Sequence, residues 1–284
     1  MAKTMIPMAI AYDFDGTLAA GNMQEHSFLP EIGIKPKKFW AEVRKCAAEN
    51  DMDPILAYMH LMLKHAQAKD VSIRRSSFVR HGAEIEFFPG VKKWFKRING
   101  FANKHGIELQ HYIISSGLRE LVEGTPLAKE FTYIFASGFM YDQDQVARWP
   151  ALAVNYTNKT QYLFRINKGI LNSHDNDTIN KFVLEEDRPV PFTNMVYIGD
   201  GETDVPSMKM VKYKGGHAIA VYDPKKRKTA NQPSPKAMAQ KLIAEDRADY
   251  AVAADYNQGQ KLDQIVKSII ESTALNYKLK ALQK

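Results

Sequence analysis

Apolar positions along the chain alternate between two patterns. Short runs rich in β-branched and aromatic residues, at 8–14, 108–115, 132–136, 195–198, 218–222 and 250–253, have the length and composition of buried strands. Between them, apolar residues recur with helical spacing over 91–104, 119–129, 159–167, 203–212 and 261–275. Strands that alternate with helices predict an α/β fold, a parallel sheet with helices on its faces. Ligands of such sheets collect beyond the carboxyl ends of the strands, so polar residues just after each run are the first candidates for chemistry.

Two segments interrupt the alternation. From about residue 19 to 88 the pattern is helical, with Ile55, Met59, Met62 and Ala66 spaced as one apolar face and no convincing strand. This reads as an inserted helical unit whose methionines and aromatics form its own core. Phe88-Pro89-Gly90 marks the return, which divides the chain into 1–18 plus 89–284 as the α/β domain and 19–88 as the helical one. In 138–155, Tyr141-Asp142-Gln143-Asp144-Gln145 separates two β-like stretches and predicts a hairpin.

Composition changes this picture little. No run approaches the ~18 apolar residues of a membrane span. The start, Met1-Ala2-Lys3-Thr4, runs straight into the first strand without the features of a secretory signal. One cysteine, Cys46, allows no internal disulfide. A cytoplasmic protein with no membrane association is therefore expected. Lys and Arg exceed Asp and Glu by 39 − 32 = 7, a mild bias towards anionic ligands. The densest basic run, Lys225-Lys226-Arg227-Lys228, follows Asp223-Pro224 and reads as a solvated turn, so no nucleic-acid partner is expected.

Four clusters carry candidate chemistry. Asp13-Phe14-Asp15-Gly16-Thr17 closes the first strand with two carboxylates two residues apart, able to divide nucleophilic and proton-transfer work if their environments differ. Thr17 and Leu18 stand where a calcium loop needs an oxygen ligand and a glycine, which excludes that reading. Ser115-Ser116-Gly117 follows a second strand and is expected at a helix start, where hydroxyls and N–H groups bind anions. Lys159 sits at a predicted helix N-terminus, a position unfavourable for a cation unless it faces an anion. Finally, Gly199-Asp200-Gly201-Glu202-Thr203-Asp204 follows another strand and offers carboxylate oxygens to a hard cation such as Mg²⁺.

In this order the four clusters resemble the motifs of the haloacid dehalogenase superfamily, nearest to its phosphoserine-phosphatase-like members. The resemblance implies a Rossmann-like parallel sheet carrying an α-helical cap inserted after the first motif. It also implies a Mg²⁺-dependent phosphatase acting on a small-molecule phosphate monoester. Asp13 would be the nucleophile and Asp15 the general acid and base. Ser115, Ser116 and Lys159 would bind phosphoryl oxygens. Asp13, Asp15 through its backbone carbonyl, and Asp200 would hold the metal, with Asp204 either a ligand or an anchor behind it. An acid at Asp15 distinguishes phosphatases from the dehalogenases and phosphonatases of the superfamily. A phosphomutase or phosphotransferase uses the same residues, and a metal-binding regulatory protein would keep the fold without turnover. Phosphoserine phosphatases carry a substrate-reading glutamate nine residues after the nucleophile; Asn22 occupies that place and Glu25 follows. Asn22, Glu25, Arg44 and Arg80 are the candidate substrate contacts, with Arg74, Arg75 and His81 as further cap residues to place.

Overall fold

The strand-like runs become neighbours in one sheet. The computed structural model describes residues 5–228 and 233–283; the lead-in at 1–4 and the Glu202 side chain lie outside what is described. Seven strands, β1 (Ile6–Tyr12), β2 (Ile107–Leu118), β3 (Tyr133–Tyr141), β4 (Ala147–Leu152), β5 (Met195–Gly199), β6 (His217–Tyr222) and β7 (Tyr250–Ala253), lie in the order β4-β3-β2-β1-β5-β6-β7. All pairings are parallel except β3 with β4, the expected hairpin. The sheet grows from β1 through β2 and β3 in one direction, then resumes with β5 on the other side of β1. That reversal leaves a crevice beyond β1 and β5, where ligands of such sheets bind.

The central strands read as unbroken apolar runs because both faces are covered. Met8, Ile10 and Tyr12 of β1 join one core, while Ala9 and Ala11 join the other. The first core packs against α5 (Val91–Lys104) and α11 (Lys261–Ala281), the second against α7 (Lys159–Lys168), α9 (Val205–Tyr213) and α10 (Pro235–Ala244). Helix α10 has no counterpart among the helices expected from periodicity, although Ser234 caps it and Pro235 begins it. Behind β1, Trp94 Nε1 donates to the Tyr12 hydroxyl (2.8 Å), which faces His111 Nδ1 at 3.0 Å; His111 Nε2 lies 2.7 Å from Asn99 Oδ1. Burial pushes the His111 imidazole down to about 3, so it stays neutral in this apolar surround.

Between β1 and α5 run α1 (Phe28–Glu31), α2 (Pro36–Glu49), α3 (Pro54–Ala68) and α4 (Arg75–Gly82). The outgoing and returning strands of chain lie side by side, with Ala19 bridged to Phe87 and Phe88 N–H donating to Leu18 O at 2.9 Å. Ile55, Met59, Met62 and Ala66 are all buried, as their spacing predicts, but in a cluster continuous with the first core of the sheet rather than in the separate core expected of the helical unit. Further contacts tie the excursion to the sheet domain. Tyr58 donates to Ser116 O (2.7 Å), and Ala147 N–H donates to Ile73 O (3.0 Å).

Two expectations change. The helix expected over 119–129 is only α6 (Arg119–Glu123) plus a turn at Ala128–Glu130, because Gly124 and Thr125-Pro126 interrupt it. Ser115 and Ser116 are not at a helix start: β2 runs on to Leu118 with an irregularity after Ser115, and α6 begins at Arg119. The remaining helix, α8 (Asn176–Asn180), lies on the surface after α7. None of the helices among the described residues is long and apolar enough to cross a membrane.

Candidate active site

Three adjacent strands, β2, β1 and β5, deliver their polar ends to one crevice. Asp13 follows β1, and its N–H donates to Ile198 O of β5 at 2.9 Å, so the sheet ladder holds the residue beyond the strand's last regular position. The chain then turns at Gly16, whose φ of +74° suits glycine. A Cβ there would lie 2.0 Å from Asp200 Oδ2, so any side chain would displace that carboxylate. Gly117 is similarly constrained: its Cβ would fall 2.1 Å from Met23 Cε and 3.3 Å from Asp15 Oδ2.

Lys159 organises the charges. Its Nζ lies 3.0 Å from Asp13 Oδ1 and 2.7 Å from Asp204 Oδ1, and all three side chains are buried. The unfavourable position of a cation at the N-terminus of α7 is thus offset by two carboxylates. Asp13 Oδ1 also accepts the Phe14 N–H (2.8 Å), which leaves Oδ2 without a protein donor among the described residues. Asp204 is engaged on both oxygens: Oδ1 accepts from Lys159 and the Tyr197 hydroxyl (2.7 Å), and Oδ2 faces the N–H groups of Asp200 (3.2 Å) and Gly201 (3.4 Å). Asp15 Oδ1 accepts the Met23 N–H at 2.9 Å. Ser115 Oγ accepts from Gly117 N–H (3.0 Å), keeping its hydroxyl proton for another partner, and Ser116 Oγ is buried without one.

Four carboxylates, Asp13, Asp15, Asp200 and Asp204, share this space with the buried Lys159 ammonium. Burial and the charge of Asp204 raise Asp13 to about 7 against the pull of Lys159. Asp15 is held well above the usual carboxylate range by burial and then by Asp13. Burial and Asp13 do the same to Asp200. Burial works to lower the Lys159 ammonium, but Asp13 and Asp204 together outweigh it and keep the group protonated. Oxygens of Asp13, Asp200 and Asp204 lie within 4.8 Å of one another. Crowded, buried carboxylates with too little positive charge are a donor set that fits a hard divalent cation.

A cavity of about 640 Å³ opens over these groups. Asp13, Asp15, Ser115, Ser116, Lys159 and Asp200 line it from the sheet, and Asn22, Glu25 and Arg44 line it from the helical excursion. Arg80 is elsewhere, exposed and 3.5 Å from Glu31, outside the cavity lining. Arg74 binds the Asp144 carbonyl, Arg75 pairs with Glu123, and His81 lies between Ser27 and Glu31, so none of these joins the cavity either. Sequence reasoning missed Gln24, Trp40, Tyr58, Tyr156 and Lys226. Lys226 is exposed, as a solvated turn requires, yet it also borders the cavity.

The sequence model of the haloacid dehalogenase-like hydrolases matches residues 10–209, the span that contains all four clusters. The chain belongs to this family. An uncharacterized protein of Borreliella burgdorferi is 27% identical over 282 residues, covering 90% of this chain and 93% of that one. Among solved structures, a HAD family hydrolase from Salmonella enterica serovar Typhi superposes with a TM-score of 0.57 at 14% identity, covering 93% of this chain and 72% of the other. A phosphoserine phosphatase, solved as an analogue of its phospho-aspartyl intermediate, gives 0.53 at 15% identity, with 93% and 99% covered. At these identities the structures share the fold alone, a mostly parallel sheet flanked by helices, into which this chain inserts the excursion α1–α4 after β1.

Proposed function

We propose that this HAD hydrolase is a Mg²⁺-dependent phosphatase that hydrolyses a small-molecule phosphate monoester through a phosphorylated Asp13. The observation that carries the reading is the pairing at the end of β1: one carboxylate fixed on a single oxygen, and a second, two residues on, held on one oxygen by the Met23 N–H, whose burial raises its affinity for a proton. Asp13 Oδ2 is the oxygen left to attack phosphorus, since Oδ1 is held by Lys159 and the Phe14 N–H. As the new P–O bond forms and the ester P–O bond breaks, Asp15 gives its proton to the departing alkoxide. The same carboxylate then takes a proton from the water that attacks phosphorus, releasing phosphate and restoring Asp13. Acid–base help of this kind contributes about 10²–10⁴-fold.

Ser115, Ser116 and Lys159 are the donors for the phosphoryl oxygens, and donors held in place before the reaction need little reorganisation. Asp13, the Asp15 carbonyl and Asp200 would hold Mg²⁺. Asp204, with both oxygens engaged, would anchor Lys159 and the 199–201 turn. When bound, the ion supplies the positive charge that lets an anionic nucleophile approach an anionic phosphate. The reading places the protein in a soluble compartment such as the cytoplasm, with a phosphorylated metabolite as its partner.

A panel of phosphate esters assayed for inorganic phosphate, with Mg²⁺ and without an added acceptor, tests this reading. Phosphate release from at least one ester, abolished by EDTA, is expected. Release only in the presence of a hydroxyl acceptor would assign a phosphotransferase instead, and silence across the panel would indicate a binding protein.

A further inference from the structure

The cap end of the cavity is built differently from the phosphate end. Two rings face it with their polar atoms already engaged. Trp40 Nε1 donates to Glu25 Oε1 at 2.6 Å, and the same oxygen accepts from Asn22 Nδ2 at 2.6 Å. The Tyr58 hydroxyl donates to Ser116 O at 2.7 Å. The rings meet edge to face, 6.0 Å between centroids at 70°. With N–H and O–H occupied, what Trp40 and Tyr58 offer a ligand is carbon surface held in fixed orientation. Tyr156, which follows β4 and is 45% exposed, adds a third ring to the lining.

Gln24 is the converse. It is 2% exposed and lines the same cavity, and its Oε1 is buried without any hydrogen-bond partner. A buried amide oxygen left unpaired costs about 1–3 kcal/mol, a penalty that a ligand donor would relieve. It lies one residue after Met23, whose N–H holds Asp15, and therefore beside the position where the alcohol departs.

Resting on the phosphatase reading, we infer that the ester's leaving alcohol carries a planar heteroaromatic ring, stacked on Trp40 with Tyr58 against its edge and read by the Gln24 amide. A nucleoside monophosphate has this chemistry: a π face that any aromatic accepts, and a ring edge that pairs a donor with an acceptor. A cavity of about 640 Å³ has room for such a group, and lies within the ~300–1,000 Å³ typical of sites for ligands of that size. A three-carbon amino acid would leave the rings unused.

The test compares the nucleoside 5′-monophosphates with phosphoserine, glycerol phosphate and glucose 6-phosphate in the Mg²⁺-loaded enzyme. At least one nucleotide is expected to exceed every ring-free ester about tenfold or more in kcat/KM. Gln24→Leu keeps the volume and removes an unpaired polar group, so it should fold, and it should cut the preference for nucleotide over glycerol phosphate by about tenfold or more. Tyr156→Ala, at an exposed position, should lower the same ratio less. Equilibrium binding of the esters to Mg²⁺-loaded Asp13→Asn decides the inference independently of turnover. Tight nucleotide binding to the variant, with no phosphate release from any ester by the wild-type enzyme, would overturn the phosphatase reading and keep the ring site. Phosphate release with ring-free esters bound or turned over as well as nucleotides would do the reverse, as would a Gln24→Leu variant with unaltered preference.

Discussion

The two ends of the cavity solve opposite problems. At the sheet end, Lys159, Asp13 and Asp204 engage one another, and Asp204 accepts from four donors, so geometry and charge are set before any substrate arrives. At the cap end, the aromatic groups are immobilised by their polar atoms while Gln24 Oε1 waits for a donor. The sheet end is thereby suited to one reaction on any phosphate, and the cap end to choosing which alcohol is attached. Reaction and selectivity should then respond separately to substitution.

Asp13→Asn should produce the largest effect, a loss of turnover of at least about 10⁴-fold for every ester, because it removes the nucleophile itself. Its thermal stability should not fall, since one of four crowded carboxylates is gone. Wild-type turnover in this variant would remove Asp13 from the reaction. Lys159→Met should come next. It leaves Asp13 and Asp204 buried without their cation, at a cost of about 3–5 kcal/mol in urea unfolding without Mg²⁺, and turnover should drop about 10²–10³-fold. An unchanged unfolding midpoint would mean that the ammonium does not organise the sheet end.

His111 tests the scaffold behind β1. Its folded value, about 3, lies below the 6.5 of an unperturbed histidine, so the unfolded chain takes up a proton first as pH falls. The stability it contributes is present above 6.5 and is lost through the window from 6.5 down to 3. Between pH 7 and pH 5 this amounts to about 2 kcal/mol. His111→Gln, which can accept from Tyr12 and donate to Asn99, should flatten the stability profile in that window, and a profile identical to wild type would exclude His111 as its cause. Arg80→Ala should have the smallest effect. With its guanidinium exposed and outside the cavity, it should change stability by less than about 0.5 kcal/mol and leave kcat/KM for every ester as it was. A change in ester preference would place Arg80 among the substrate contacts.

The sheet end was legible in the chain because each part is local. A strand run followed within two or three residues by Asp13, Asp200 or a serine carries its own position, since parallel strands place their carboxyl ends together. Ser115 and Ser116 show the limit: the strand end was recognisable, but β2 continues past both residues, because an irregularity in register leaves no mark in periodicity. The cap end was harder to read. Trp40, Ile55 and Tyr58 have the spacing and composition of an ordinary helical core, and Ile55 is indeed buried while also lining the cavity. Arg80 and Arg44 look alike in sequence, both single arginines on predicted helices, yet one meets Glu31 and the other the cavity.

By itself, the sequence determined the α/β alternation, the helical excursion and the four clusters, because hydrophobic periodicity and strand-end residues are properties of short segments. Only the tertiary structure decided which cap residues face the carboxylates. The cap is held over the sheet by contacts between distant segments, Tyr58 with Ser116 and Ile73 with Ala147, and these set which helix face closes the cavity. No local pattern encodes such a docking angle. Asp13 could therefore be assigned a chemistry from its neighbours in the chain, while Gln24 acquired a role only from its neighbours in space.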